Sequence, residues 1–216
     1  MAAAIITEFH TIAILYENDD LIAVDKPIRL ASIPERNREK ISLLKLLSEA
    51  RQQKLFVVHR LDKQVSGVIL FAKNAETHRY LNQLFEQRKI HKTYLAIVHG
   101  SFEEDSGTID KPLRRFGSGR MGEDQGKGKP CITQYTVEKR CSGYTLVKVY
   151  PQTGRKHQIR AHFFSIGHPI VGDTLYGDKS FQKIYPRLML HALAIRFSSP
   201  EQEDILIESP SPLVFP

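Results

Sequence analysis

The 216-residue sequence predicts an α/β (α+β) fold, with many short strands interrupted by a few helices. Three observations carry that expectation. Runs rich in Val, Ile, Leu and Tyr recur along the chain, each bounded by Asn, Asp, Gly or Pro. Three longer segments instead space their apolar residues at helical intervals. The composition, 41% apolar and 25% charged, is ordinary for a globular protein and excludes disorder or a collagen-like repeat.

The elements follow in order. Ala13–Tyr16 and Leu21–Asp25 read as strands joined by Asn18-Asp19-Asp20, and Pro27 and Pro34 bracket a loop. Leu43, Leu44, Leu46 and Leu47 give Ile41–Ala50 a helical stripe. Leu55–Val58 and Val68–Ala72 are strand-like, with the charged segment His59–Gly67 between them. Asn74 is a suitable cap for a helix to about Arg88, with Tyr80, Leu81, Leu84 and Phe85 on its apolar face. His91–His99 is a strand, and Ile132–Glu138 with Tyr144–Tyr150 forms a hairpin about Arg140–Gly143. Thr153 is placed to cap a helix through Ile166, which Gly167 ends and Pro169 keeps from resuming. Leu188–Phe197 and Ile205–Ile207 are the last strands. No solenoid-like repeat is present.

Several function classes drop out on composition. The longest run without Asp, Glu, Lys or Arg is Ala161–Gly172, 12 residues, short of the roughly 20 that a spanning helix needs. The opening MAAAIITEFH has no basic region ahead of its apolar run, so no secretory signal is expected. The two cysteines, Cys131 and Cys141, are too few for a disulfide framework or a four-thiolate metal site. They read as free thiols of a reducing cytoplasm.

Charge points toward a polyanion. The net charge is +7, and from Lys139 to Gly172 six basic residues meet no acid, whereas Glu201, Glu203, Asp204 and Glu208 meet no base. Clustered cations gain binding free energy by releasing counterions from phosphates. Asp110–Pro130 holds five glycines and six basic residues against three acids, and predicts a flexible, basic loop able to close over a phosphate chain.

Other chemistries fail on spacing. His157, His162 and His168 suit no chelate on a helix or a strand, and neither HExxH nor CxxC occurs, so no metal is expected. The glycines at 117–128 fit no phosphate-loop pattern, and GxSxG is absent. What remains is a lone carboxylate in a cationic setting, Asp62, flanked by Arg60 and Lys63 in His59-Arg60-Leu61-Asp62-Lys63. Neighbouring cations favour its ionised form, available as nucleophile or base. A second element, Thr153-Gly154-Arg155-Lys156-His157-Gln158-Ile159-Arg160, puts Arg155 and Lys156 in the first turn of the expected helix. Acids are the usual residues there, so this departure suggests anion handling.

These segments resemble the RluA-type family of RNA pseudouridine synthases. The resemblance rests on HRLDKQVSG at 59–67 followed by VILFAKN, HKTYLAIVHG at 91–100, TGRKHQIRAH at 153–162, GHPIVGDTLYG at 167–177 and LMLHA at 188–192, in the family's order and from about Leu15 to Phe215. It implies a mixed, mainly antiparallel bent sheet with flanking helices and a central catalytic cleft, in a single catalytic domain over 1–216. No S4-type RNA-binding domain is expected ahead of Ile12.

The implied reaction is a cofactor-free isomerisation. The N1–C1′ bond of a flipped uridine breaks, the uracil turns, and C5 joins C1′. Asp62 matches the catalytic aspartate, by attack on ribose or uracil or by taking a sugar proton. Tyr94 matches a tyrosine that packs on the uracil, and Arg155 an arginine that pairs with the aspartate. Arg60 matches an arginine that holds the nucleotide out of its stack. Lys63, Lys92, Arg114, Arg115, Lys156, His157 and Arg160 complete the expected RNA-binding set. The expected partner is structured RNA, ribosomal or transfer, with no membrane or DNA partner and a monomeric, cytoplasmic protein.

Two departures bear on loop geometry. Val65 stands where the family usually has Thr, and Lys26-Pro27-Ile28-Arg29 lacks the glycine usual after Lys-Pro. The competing expectations are a non-catalytic RNA-binding protein or chaperone of the same fold, and a hydrolytic nucleosidase using Asp62.

Overall fold

A computed structural model describes residues 4–6, 11–35 and 41–213. Most of the N-terminal decapeptide, and Phe215 at the end of the family resemblance, lie outside those residues. The chain divides into two compact units, one reaching to His91 and taking in Ala192–Ser211, the other built mainly from Lys92–His191.

The first unit contains β1 (Ala4–Ile6), β2 (Thr11–Glu17), β3 (Leu21–Lys26), α1 (Leu43–Arg51), β4 (Phe56–Val57), β5 (Ser66–Ala72) and α2 (Ala75–Glu86). Most of β12 (Leu190–Ser198) and all of β13 (Asp204–Glu208) join it from the far end of the chain. The strands run in the order β1-β2-β3-β5-β12, with β13 on β12 and β4 on β5. The pairings of β1 with β2, β2 with β3, β3 and β4 with β5, and β12 with β13 are antiparallel.

Alternation sets the core. Leu21 and Ala23 of β3, Val68, Leu70 and Ala72 of β5, Ile195 and Phe197 of β12, and Ile207 of β13 pack with Leu81 and Leu84 of α2. The intervening Ile22, Val24, Ile69 and Phe71 are fully buried on the opposite face, so β5 is covered on both sides. Each such side chain removed from water contributes about 1.5–3 kcal/mol. α2 forms where expected, because the Asn74 side chain accepts the Thr77 N–H at 2.8 Å. α1 is capped in the same way by Ser42.

The second unit is an antiparallel sheet of β6 (His91–His99), β11 (Tyr144–Pro151), β10 (Ile132–Cys141) and β7 (Ser106–Asp110), in that order. The hairpin β10–β11 matches the sequence expectation, with an irregularity between Val137 and Lys139. α3 (Gln158–Ser165) closes with Gly167 at φ +82°. The Gly167 and His168 N–H groups bond back to the carbonyls of Phe164 and Phe163, a Schellman ending. The short α4 (Lys179–Gln182) and β7 escaped the sequence patterns.

Asp110–Pro130 is not structureless. β8 (Leu113–Arg115) and β9 (Met121–Glu123) pair as a hairpin, and Leu113 bridges to Lys129 as well. The segment is tied down further: the Met121 N–H donates to the Tyr176 hydroxyl, and Arg120 donates to the Tyr176 carbonyl. Arg120 also lies over the rings of Phe164 and Tyr176. Gly117, Gly119 and Gly126 lie in its turns, and Gly122 lies within β9.

Three of the six cations in the acid-free stretch pair with acids from elsewhere in the chain. Arg140 pairs with Asp105, Lys148 with Glu138 and Arg160 with Asp173. Among the described residues, no helix is long and apolar enough to cross a membrane.

Candidate active site

Asp62 sits in the connection from β4 to β5, and the chain on either side of it is held by buried groups. The Ser32 hydroxyl, 4% exposed, accepts the Leu61 N–H at 3.1 Å and donates to the Leu61 carbonyl at 2.8 Å. The Lys26 ammonium, fully buried, donates to the carbonyls of Pro27, Leu30 and Lys63 at 2.8, 2.9 and 3.3 Å. The Val65 N–H closes a turn on the Asp62 carbonyl. His59 accepts the Leu70 N–H and lies against Phe85, so it serves the scaffold of this turn. The carboxylate of Asp62 is half-buried, while Arg60 and Lys63 are exposed and Lys63 lies 3.6 Å from Glu35.

The turn leads into Gly67, where φ is +112° and an added Cβ would stand 2.1 Å from the Ala192 carbonyl oxygen. Only glycine fits that approach. Both sequence departures have physical outcomes here. Val65 is buried, 3% exposed, so an apolar side chain suits the site. Arg29 takes φ +64°, a left-handed conformation that glycine adopts without cost.

In the second unit, β6 carries Lys92 and Tyr94 two residues apart and therefore on one face. Tyr94 is half-buried and pairs in register with Val149 of β11. Lys92 Nζ lies 3.5 Å from the Thr153 carbonyl, and burial pushes its ammonium below the usual lysine range. β11 then runs into the connector that carries Arg155.

The helix expected from Thr153 begins only at Gln158, which corrects the placement of Arg155. His157 adopts φ +52°, and the Thr153 hydroxyl is spent on the Gln158 side chain rather than on a helical N–H. Arg155 and Lys156 are therefore exposed residues of a connector, not of a first helical turn. The Arg155 guanidinium donates through Nε to the Pro130 carbonyl at 3.4 Å.

Among the expected RNA contacts, Arg160 is corrected outright. It is 5% exposed, and its fork is engaged by Asp173, with Nε and one terminal nitrogen each 2.8 Å from a carboxylate oxygen. It holds α3 to the segment between α3 and α4 and presents no surface to a phosphate. His157 is half-buried with Nδ1 3.1 Å from the Tyr176 hydroxyl. Arg114 pairs with Asp124 at 2.7 Å and lies over Phe116, whereas Arg115 is exposed. Ser32, Arg120 and Gln158 were not singled out from sequence. Gln158 lies inside TGRKHQIR, so an amide among the cations was the available signal; Ser32 gave none.

Asp62 thus belongs to the first unit, and Tyr94 and Arg155 to the second. Residues 20–165, which include all three, match the family model described as RNA pseudouridylate synthase. The chain belongs to the RNA pseudouridine synthase family. Two relatives of this synthase family illustrate the likeness. The tRNA pseudouridine synthase C of Haemophilus ducreyi is 36% identical over 211 residues, covering 87% of this chain and 86% of that protein. The ribosomal large subunit pseudouridine synthase D of Nitrosomonas europaea is 38% identical over 214 residues, covering 92% of this chain and 62% of that protein. The chain spans between 57% and 62% of the length of several curated relatives that it matches. Among solved structures, human RNA pseudouridylate synthase domain containing 1 superposes with a TM-score of 0.80 at 29% identity, covering 94% of this chain and 84% of that one. The mixed, mainly antiparallel architecture is that of a pseudouridine synthase.

Proposed function

We propose that this chain isomerises specific uridines of structured RNA, ribosomal or transfer, to pseudouridine, with Asp62 as the catalytic carboxylate. The observation that carries the proposal is the hold on Asp62: a half-buried carboxylate with buried Ser32 and Lys26 bonded to the residues on either side of it, within the segment matched to the synthase family. Breaking a glycosidic bond builds positive character on the sugar, which a fixed carboxylate stabilises or traps. The relatives named for tRNA and for the ribosomal large subunit support the two RNA classes.

Tyr94 is the ring on which the flipped uracil stacks, recovering about 1–3 kcal/mol of the few that unstacking costs. Arg155 is the cation that, by the family resemblance, pairs with the catalytic aspartate when substrate is bound. Arg60, Lys63, Lys92, Lys156 and Arg115 contact phosphates or the target nucleotide. The protein acts in the cytoplasm as a monomer and takes no cofactor.

Carbodiimide mapping of pseudouridine in ribosomal and transfer RNA, before and after incubation with the purified protein, tests this function. New modified positions are expected. Binding without any new position would make the chain a non-catalytic RNA-binding protein, and release of free uracil would make it a nucleosidase.

A further inference from the structure

We infer that Gln158 is a positioning residue that sets the place of Arg155. The inference rests on the role proposed above for Arg155, and it is carried by a hydrogen-bond set within the second unit. The Gln158 side chain, 4% exposed, turns back from the start of α3 across the connector. Its Oε1 accepts the Thr153 hydroxyl at 2.7 Å and the Arg155 N–H at 3.0 Å. Its amide nitrogen donates to the Ile132 carbonyl and to Thr133 Oγ1, both at 2.9 Å. A primary amide has two donors and two acceptor sites, and all four are used. The partners also fix which end is oxygen, since a backbone N–H only donates and a carbonyl only accepts.

The bonds extend a tie that begins at the end of β11, where the Gln152 N–H donates to the Ile132 carbonyl at 3.0 Å, on to the peptide of Arg155. One end of the amide grips the peptide of Arg155, and the other grips the first residues of β10. The Gln158 backbone N–H also donates to the Arg155 carbonyl at 3.1 Å, so one residue fixes Arg155 at both of its peptide groups. The Thr153 hydroxyl completes the clamp by accepting the Ile132 N–H at 3.2 Å. The guanidinium, by contrast, is exposed at the end of a long side chain. Its starting point is therefore what the fold can control.

No other side chain of similar size replaces this set. Glutamate lacks the donors for Ile132 and Thr133 and would bury a charge; methionine keeps the volume and loses all four bonds. Displacing a catalytic group by about 1 Å costs about 10²-fold in rate.

The test is a double-mutant cycle in the full chain. Tritium release is followed under single-turnover conditions from transcripts of ribosomal and transfer RNA labelled at uracil C5. Gln158→Met should lower the rate about 10²-fold in the native background and by less than about twofold when Arg155→Ala is already present. Arg155→Lys serves as the background should the residual rate of Arg155→Ala fall below detection. Equal losses in both backgrounds would assign Gln158 a general structural role and overturn the inference, as would an undiminished rate in Gln158→Met alone. Thr153→Val, which removes one bond of the clamp, is read through the same cycle if Gln158→Met does not fold. A normal rate in Arg155→Ala alone would overturn the role of Arg155, and the positioning claim with it. A slow Arg155→Ala enzyme combined with additive losses overturns the positioning claim only.

Discussion

Around Asp62 the chain is held from a distance, by Ser32 and Lys26, which precede their partners Leu61 and Lys63 by 29 and 37 residues. Around Arg155 much of the hold is local, through Gln158 three positions on, with β10 as the anchor. The first arrangement fixes backbone on both sides of a short acidic side chain. The second fixes the backbone of a long basic one and leaves its tip exposed. A carboxylate reaches only as far as its own backbone allows, so its turn must be rigid. An arginine can adapt, provided its root is steady.

If the Asp62 segment is limited by its backbone, Gly67→Ala should be the most damaging change, costing about 3–5 kcal/mol. It combines a left-handed conformation with a collision against the Ala192 backbone. Urea unfolding measures this, and a loss below about 1 kcal/mol would show that the segment yields. Ser32→Ala comes next. It strips the Leu61 N–H and carbonyl of their partner and should cost about 1–3 kcal/mol, with slower tritium release at unchanged RNA affinity.

The anchor of the second segment has its own signature, in pH. Thr133 Oγ1, which accepts from Gln158, also lies 2.9 Å from His162 Nδ1, while His162 Nε2 faces the Lys111 carbonyl at 3.0 Å. A carbonyl takes only a donor, so Nε2 carries the proton and Nδ1 accepts from the Thr133 hydroxyl. Burial pushes the His162 pKa below the usual histidine value, against smaller opposing effects of the Lys111 carbonyl, Asp110 and Glu123. The unfolded chain takes up a proton as pH falls through about 6.5, before the folded chain does. Stability should therefore decline as pH drops below about 6.5, by at most about 1.4 kcal/mol per pH unit from this group. Thermal unfolding between pH 7.5 and 5.5 should show the decline, and His162→Gln should flatten it. The smallest effect is expected from Arg29→Gly. It relieves the left-handed strain of an exposed residue but loosens the unfolded chain, so stability should rise by no more than about 1 kcal/mol. Equilibrium unfolding that showed a loss instead would mean that Arg29 makes contacts the loop needs.

The same contrast separates local signals in the sequence from contacts that only the folded chain makes. Strands with regular alternation and the helix capped by Asn74 were legible, because period and cap are local signals. The quoted motifs placed Asp62, Tyr94 and Arg155 by resemblance. Illegible were the contacts that depend on folding the chain back. Ser32 looks like any loop serine, and Arg160 looks like a surface cation until Asp173 meets it. Thr153 looks like a helix cap until Gln158 takes its hydroxyl. The glycine-rich stretch after Asp110 looks unstructured because β8 and β9 have three residues each, too few to show a period.

The most direct measurement compares Asp62→Asn with the unaltered protein for RNA binding and for tritium release from RNA labelled at uracil C5. The substitution keeps the shape of the side chain and removes its charge. RNA affinity within about twofold, with release slowed by roughly 10³-fold or more, is the predicted result. Release at the normal rate would contradict the assignment of Asp62 as the catalytic group.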